Sequence, residues 1–214
     1  MKKIALGIII VVLACHLQNN AFATSEDILI TAPWNSNYNT IKVAIINEAG
    51  LTESKISVVK LAIDSEISYS RGGHTYFEGW TAALQSIDLT RNAEKFKISE
   101  YDNENNVTAD ITIKLLTTQD PNYSGFTKPT IVENKMKQAS IRIYNSNNIT
   151  TIQLENLVRH EFGHALGLGH STDESSIMYD LIESEPKLIT ACDLDGLKGL
   201  SEGHVFTFEK CNQA

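Results

Sequence analysis

One thirteen-residue segment, Arg159 to Ser171 (RHEFGHALGLGHS), constrains this chain more than any other feature of its sequence. It contains three of the six histidines in the chain of 214 residues. On a helix, His160 and His164 lie about 40° apart around the axis and about 6 Å apart along it, so both imidazoles can bind one metal ion. Glu161 borders this position, where its carboxylate reaches a metal-bound water more easily than the metal itself. The pattern predicts a zinc site with Glu161 as the general base.

His170 can bind the same ion only if the helix ends before it. In a continuous helix His170 would lie about 9 Å beyond His164 along the axis, whereas Zn–N bonds are about 2.0–2.1 Å long. Gly167 can adopt a left-handed conformation at low cost and so end the helix, and Gly169 is expected to give further freedom before His170. The spacing predicts His160, His164 and His170 as three zinc ligands, with one coordination position left open for water.

The first 23 residues read as a secretory signal peptide rather than as part of the fold. Lys2 and Lys3 are followed by an apolar run from Ile4 to Cys15, and Ala21-Phe22-Ala23 offers a cleavage site between small residues. We expect a secreted, extracellular chain with no transmembrane helix after cleavage, since no other stretch approaches the roughly 20 apolar residues that a span needs. Two alternatives remain open: an uncleaved N-terminal membrane anchor, and lipoprotein-type cleavage that leaves a lipid on Cys15.

The cysteines agree with export. Of the three in the chain, Cys192 and Cys211 remain after cleavage at residue 23, and an even pair in an exported protein favours a disulfide. Such a bond would tie down the C-terminal tail and stabilise the fold by about 3 kcal/mol in the chain-entropy model. The alternative is two separate thiols.

The chain is acidic, which argues against several classes of partner. The formal net charge is −8, and without the first 23 residues, which carry two lysines and no acid, it is 16 − 26 = −10. A chain with this charge and no cluster of Lys or Arg is a poor candidate for binding nucleic acid or an anionic membrane. The acidic turn at 102–106 (DNENN) offers oxygen ligands for Ca²⁺ but lacks the glycine of a regular calcium loop. Calcium is therefore possible without a clear motif, and we expect a solvated turn.

The periodicity of the remaining chain predicts a single α+β domain over residues 24–214, with helices packed on a sheet. We expect its core over about 40–200, an exposed lead-in at 24–39 and a disulfide-tied tail at 201–214. Glycine-rich residues 70–79 are expected to be a loop, and 118–137 a long polar loop with a short edge strand at 123–127. The expected strands are 40–47, 96–101, 109–117 and 138–144, and the expected helices are 53–67, 80–87 and one that starts at a Thr150–Gln153 capping box.

The segment HEFGHALGLGHS, followed by SIMYD, resembles the metzincin zinc endopeptidases and within them the matrixins (peptidase family M10). Ser171 follows the third histidine as in matrixins, and Met178 matches the methionine of the family's Met-turn. ADITI at 109–113 and CDLDGLKGL at 192–200 resemble a matrixin strand and the last matrixin helix. The resemblance covers about 40–200 and is strong over 159–180. The matrixin cysteine switch is absent, since no cysteine lies between residues 15 and 192.

The resemblance implies a metzincin-like catalytic domain, with a mixed twisted sheet, an active-site helix and a C-terminal helix. It implies a monomeric, secreted zinc endopeptidase acting on proteins or peptides, in which Glu161 takes a proton from the zinc-bound water and passes it to the leaving amine. Met178 would lie under the metal, and Tyr179 and Phe126 would line the substrate pocket. The alternatives are a non-catalytic exported binding module on the same scaffold, and a zinc hydrolase acting on a non-peptide amide.

Overall fold

A five-stranded mixed sheet forms the centre of the computed structural model, which describes residues 26–34, 40–87, 95–105, 107–181 and 184–211. The five strands are β2 (Thr40–Ile46), β5 (Lys95–Tyr101), β6 (Ile111–Leu115), β7 (Gly125–Val132) and β8 (Lys135–Ile143). The strand order is β5-β2-β6-β8-β7, and β7 alone runs antiparallel to its neighbour. The order places β7 at one edge of the sheet.

Two helices, α1 (Glu53–Asp64) and α3 (Thr151–Leu166), pack on this sheet and bury a shared apolar core. Ile111 and Ile113 of β6 and Ile141 of β8 are fully buried and belong to one cluster with Val59 and Val158 of the helices. Alternating apolar and polar residues in β6 give it one buried side, as expected for a sheet packed on one face. The helices are α1 (Glu53–Asp64), α2 (Trp80–Ser86), α3 (Thr151–Leu166) and α4 (Ala191–Ser201).

These elements confirm the α+β class and all the predicted strands and helices, with bounds that differ by a few residues. Helix α3 begins at the predicted capping box: the Gln153 amide donates to Thr150 Oγ1, and the Thr150 amide donates to Gln153 Oε1. Helix α1 ends at Asp64, with Ser65 as its C-cap, and is therefore shorter than the expected helix at 53–67. The mixed sheet with four helices fits a metzincin-like fold.

The expectation of an exposed lead-in before residue 40 is wrong for residues 26–34. Strand β1 (Asp27–Ile30) lies between β9 (Leu168–Ser171) and β10 (Thr207–Lys210) in a second, antiparallel sheet. Ile28 and Ile30 are fully buried, because strand pairing with both neighbours turns one side of β1 into the core. The two ends of the described chain thus meet beside β9, the strand that contains His170.

The C-terminal tail is joined to helix α4 by a disulfide between Cys192 and Cys211, whose Cα atoms are 4.4 Å apart. The Cys211 amide also donates to Glu26 O at 2.8 Å. This covalent link holds β10 against β1 and α4, and therefore next to the strand with the third histidine.

Two loop predictions are wrong because tight turns close hairpins there. Residues 70–79 include most of a hairpin of β3 (Ser68–Arg71) and β4 (His74–Phe77), which turns at Gly72 and Gly73 with positive φ at both. Glu133 and Asn134, also with positive φ, turn β7 directly into β8. Two central residues with positive φ give a turn whose twist matches antiparallel strands. The polar loop expected to end at residue 137 is correspondingly shorter.

The described helices include none that is both long and apolar enough to cross a membrane. The predicted signal peptide at 1–23, and Cys15 within it, lie outside the described residues.

Candidate metal centre

His160 and His164 extend from the last turns of helix α3 toward a common point. Their Nε2 atoms are 3.1 Å apart, and each Nδ1 is hydrogen-bonded to a backbone carbonyl, Ile177 O for His160 and Leu168 O for His164, both at 2.8 Å. A carbonyl on Nδ1 selects the tautomer that keeps Nε2 free to bind a metal and fixes the orientation of the ring. Both rings are therefore held in one orientation by the surrounding chain.

The chain reverses after α3 and brings His170 back to the other two rings. Gly167 ends the helix with φ +105°, and its amide donates to Gly163 O and His164 O. The centroid of the His170 ring lies 5.4 Å from that of His160 and 5.0 Å from that of His164. The left-handed residue at Gly167 is what the sequence predicted for this reversal.

Gly169 has a different role from the one expected. It lies within strand β9 without a positive φ, and a Cβ there would approach Leu29 Cγ to 2.6 Å. Gly169 is therefore required by the close packing of strand β1, and it does not supply conformational freedom before His170.

The three histidines fit a metal ion by the chemistry of their donor set. One ligand nitrogen from each ring lies within 4.8 Å of the others, and this is the one group of three or more potential ligands so close together in the described part of the chain. Burial lowers the pKa of His160 to about 4 and that of His164 to about 3, with smaller contributions from neighbouring charges. Neutral imidazole is the form that binds a metal, and three nitrogen ligands with an open position suit zinc.

Glu161 lies against the edge strand β7. Its Oε2 accepts a hydrogen bond from Thr127 Oγ1 at 2.6 Å, and the same hydroxyl lies 2.9 Å from Glu161 O. Burial raises the pKa of Glu161 to about 7, and the bond from Thr127 opposes part of that increase. A Cβ at Gly125 would come within 2.6 Å of Glu161 Oε1. Gly125 thus leaves the space that the carboxylate occupies, and Thr127 fixes its direction.

Met178 lies beneath helix α3 and is fully buried. A Cβ at Gly163 would collide with its Sδ atom, so Gly163 allows the sulfur to pack directly under the helix. The Met178 amide donates to Ser176 Oγ at 2.9 Å, and Ser176 Oγ is bonded to the carboxylate of Asp193 in α4. Asp193 is completely buried and also accepts from the amides of Ile177 and Thr190.

The structure separates the two residues expected to line the substrate pocket. Tyr179 follows Met178 and pairs in an isolated β-bridge with Ser171, the residue after His170. Phe126 alternates with Gly125 and Thr127 along β7, and since those two contact Glu161, its side chain lies on the other side of the strand. There it is 38% exposed and packs against Tyr123 at 5.4 Å between ring centroids. The geometry therefore does not bring Phe126 to the histidines.

The calcium candidate at 102–106 does not form a ligand cluster among the residues described there. Glu104 is bonded to Lys114, and Asn103 Oδ1 accepts from the Asn105 amide at 3.0 Å, while Asn106 lies outside the described residues. The ion pair with Lys114 lowers the pKa of the exposed Glu104 carboxyl. These two groups bond within the protein, and calcium at this turn stays a prediction.

Sequence reasoning did not find Arg159, whose buried guanidinium connects three parts of the chain. It donates to Glu78 O, to Lys187 O at 2.8 Å and to the Glu155 carboxylate. Asn156, one turn earlier, accepts from the Lys187 amide and donates to Glu185 O. Together they fix the segment after the Met178 turn to helix α3. The sequence signal was an arginine directly before the first histidine of the helix.

We expect Arg159→Met to lower the free energy of unfolding by about 3 kcal/mol, because it leaves two carbonyls and a carboxylate without their buried donor. This cost is at the lower end of the range for breaking a buried ion pair, since the Glu155 side chain remains 24% exposed. Urea denaturation followed by circular dichroism measures the change. Arg142→Met, at an exposed arginine of β8, is the matched control and should shift the midpoint little. Equal shifts for the two variants would contradict this role of Arg159.

Comparison with known proteins agrees with the class that the fold and the site define. The domain has a mixed sheet and a helix with two histidines. A chain reversal brings a third histidine to them, and a buried methionine packs under the helix. These features together describe a metzincin-like domain. The family model of matrixins (Peptidase M10) matches residues 68–202. The chain belongs to the matrixin family.

Curated relatives match over shorter segments. Metalloendoproteinase 5-MMP of Arabidopsis thaliana is 37% identical over 57 residues, which cover 26% of this chain and 16% of that protein. Metalloendoproteinase 1-MMP of the same plant is 42% identical over 48 residues (22% and 13%), and Metalloendoproteinase 1 of Glycine max is 40% identical over 53 residues (24% and 17%). The matched segments span less than a fifth of each relative.

Proposed function

We propose that this chain is a zinc-dependent endopeptidase that hydrolyses internal peptide bonds. Three histidine nitrogens lie within 4.8 Å of one another, and Glu161, the residue after His160, has a buried carboxylate. This observation carries the proposal. Membership of the matrixin family and the names of the relatives, metalloendoproteinases, support it. His160, His164 and His170 would hold the zinc ion.

Zinc, when bound, supplies a Lewis acid that polarises a carbonyl and acidifies a water molecule. The residues of the chain would carry out the proton transfers. Glu161 would accept the proton of the attacking water and deliver it to the leaving amine. A pKa near 7 suits both steps, because a group that must take and return a proton works best near the pH of the reaction. Burial around Glu161, which raises this pKa, would also exclude competing water.

The substrate would bind as an extended strand along β7. That strand is the outer one of the five-stranded sheet, and an edge strand offers unpaired amides and carbonyls to an added peptide. Gly125 and Thr127 of β7 contact Glu161, so a peptide paired with β7 would lie close to the base. Main-chain pairing of this kind orients the peptide without fixing its side chains.

Export is part of the proposal. The apolar N-terminal segment at 1–23 is read as a signal peptide, and a disulfide between Cys192 and Cys211 suits an oxidising compartment. We propose a monomer outside the cell.

The test uses the purified, zinc-loaded protein with two substrates, casein and a pool of peptides blocked at both ends. Mass spectrometry should find new ends at internal peptide bonds of both. Binding of peptides without any cleavage would instead favour a binding module on the same scaffold, and hydrolysis confined to non-peptide amides would favour the third class. Either result would overturn the proposed endopeptidase.

Thr127→Val is expected to lower kcat about fivefold, because the bond that directs the Glu161 carboxylate contributes about 1 kcal/mol. Valine has the shape of threonine without the hydroxyl. Thr127→Ser keeps the hydroxyl and should restore most of the rate, whereas zinc content should be the same in all three proteins. An unchanged kcat in Thr127→Val, or a failure of serine to restore it, would show that the hydroxyl does not position Glu161.

A further inference from the structure

Lys187 is fixed to helix α3 by hydrogen bonds of its main chain. Its amide donates to Asn156 Oδ1 at 3.0 Å, and its carbonyl accepts from the Arg159 guanidinium at 2.8 Å. Both partners lie in α3 within the turn that precedes His160. The segment between Met178 and α4 is thereby held against the helix that supplies two of the three histidines.

The ammonium group of Lys187 is buried without a hydrogen-bond acceptor among the described residues. It lies 5.0 Å from the centroid of the Tyr179 ring, and a cation over an aromatic face recovers only part of the lost hydration. An unpaired buried charge is costly, and such groups normally have a partner. The three donors of this ammonium therefore lack the acceptor that their burial calls for.

The neighbours of Tyr179 relate this ammonium to the histidine-bearing segment. Tyr179 follows Met178, which packs under α3. Tyr179 also pairs with Ser171, the residue after His170, in an isolated β-bridge. The unsatisfied cation over the Tyr179 ring therefore lies against the segment that joins the third histidine to the Met178 turn.

We propose that Lys187 is a specificity-determining residue whose ammonium binds the carboxylate of an acidic side chain in the peptide substrate. The inference rests on the proposed endopeptidase function and adds a substrate class to it. A carboxylate supplies the missing acceptors, and charge-assisted bonds of this kind are about twice as strong as neutral ones. The chain as a whole carries a net charge of −8, so its overall field disfavours acidic peptides. A preference for them must therefore come from a local cation.

The test compares peptides that differ only in glutamate or glutamine, which have the same shape. Each position flanking a cleaved bond is occupied in turn by Glu or Gln, and kcat/KM is measured for each pair. At one position the wild-type protein should prefer Glu by about tenfold or more, as expected for a hydrogen-bonded charge pair. Lys187→Met, which keeps the apolar stem, should bring this ratio to about one. Lys198→Met, at an exposed lysine of α4, should keep the wild-type ratio.

Two further measurements separate this role from structural support. The melting temperature of Lys187→Met should equal or exceed that of the wild type, because an unpaired buried charge is removed; a large fall together with an equal loss for all peptides would overturn the proposal. A wild-type ratio near one at every position, or a ratio that survives Lys187→Met, would also overturn it.

Failure of the proposed function would look different, since the wild type would then cleave neither peptide of any pair. Peptide binding to the zinc-loaded Glu161→Ala protein, measured by fluorescence anisotropy with pools fixed at Glu or Gln, tests Lys187 without turnover. The Glu161→Ala protein should bind the Glu pool more tightly than the Gln pool. Loss of this preference in the double variant with Lys187→Met supports the carboxylate site. Equal binding of both pools contradicts it.

Discussion

Replacement of Glu161 by glutamine is expected to lower kcat by about 10²–10⁴, the range that a positioned general base contributes. Glutamine has the same shape as glutamate and retains an oxygen that can accept the hydrogen bond from Thr127 Oγ1. It fits the space left by Gly125, but it cannot take up a proton. The substitution thus removes the proposed chemistry while leaving the packing in place.

Peptide cleavage under saturating substrate measures this loss, and zinc content and melting temperature show whether the site is otherwise intact. Burial already disfavours the Glu161 carboxylate, whose pKa is raised to about 7, so a neutral amide should not lower the melting temperature. Glu174→Gln is the matched control, since the exposed Glu174 lies in the loop after His170, and it should keep the wild-type rate. A Glu161→Gln protein that kept more than about a tenth of wild-type kcat would contradict the role of Glu161 as base.

The helix and the histidine cluster could be predicted because their determinants are local. The apolar spacing of α3, its capping box and the glycine at which it ends all lie within 20 residues of one another, and the ligand spacing follows from helix geometry. Gly167 has the positive φ that the reversal to His170 requires. These features depend on the periodicity of one segment and need no knowledge of distant partners.

The surroundings of the cluster could not be predicted in this way, because they come from distant parts of the chain. Thr127 and Gly125 contact Glu161 across 34 and 36 positions, and strand β1 pairs with β9 across more than 130. A short segment such as 27–30 has too few residues to show a period of two convincingly. Its burial depends on both neighbours being strands, which the sequence near residue 28 does not encode.

Arg159 and Asp193 illustrate a second limit. Charged residues in apolar helices are usually exposed, and their sequence positions alone do not reveal which carbonyls or amides they satisfy. In the fold, Arg159 binds the segment after Met178, and Asp193 binds the turn that contains it. Two buried polar side chains therefore hold Met178 and the segment after it in place. The choice of bound substrate depends on the same segment, through Lys187.

Removal of zinc by a chelator is expected to abolish peptide cleavage and to lower the melting temperature. The three ligand nitrogens come from α3 and β9 and lie within 4.8 Å of one another only in the folded chain, so zinc binds the native state in preference to the unfolded one. At about 1,000 times its Kd, such a ligand stabilises a protein by about 4 kcal/mol. For a domain of this size that corresponds to roughly 8–16 °C.

Differential scanning calorimetry and a peptide cleavage assay, each with and without chelator, measure the two effects. Added zinc should restore both the melting temperature and the cleavage, and calcium alone should restore neither. His164→Ala should lose the response to zinc, whereas His204→Ala should keep it, because His204 lies on the surface bonded to Glu209 at 2.6 Å. Cleavage that persists in the chelator, or that calcium alone restores, would refute zinc as the catalytic metal, because three neutral imidazoles suit zinc and calcium prefers oxygen ligands.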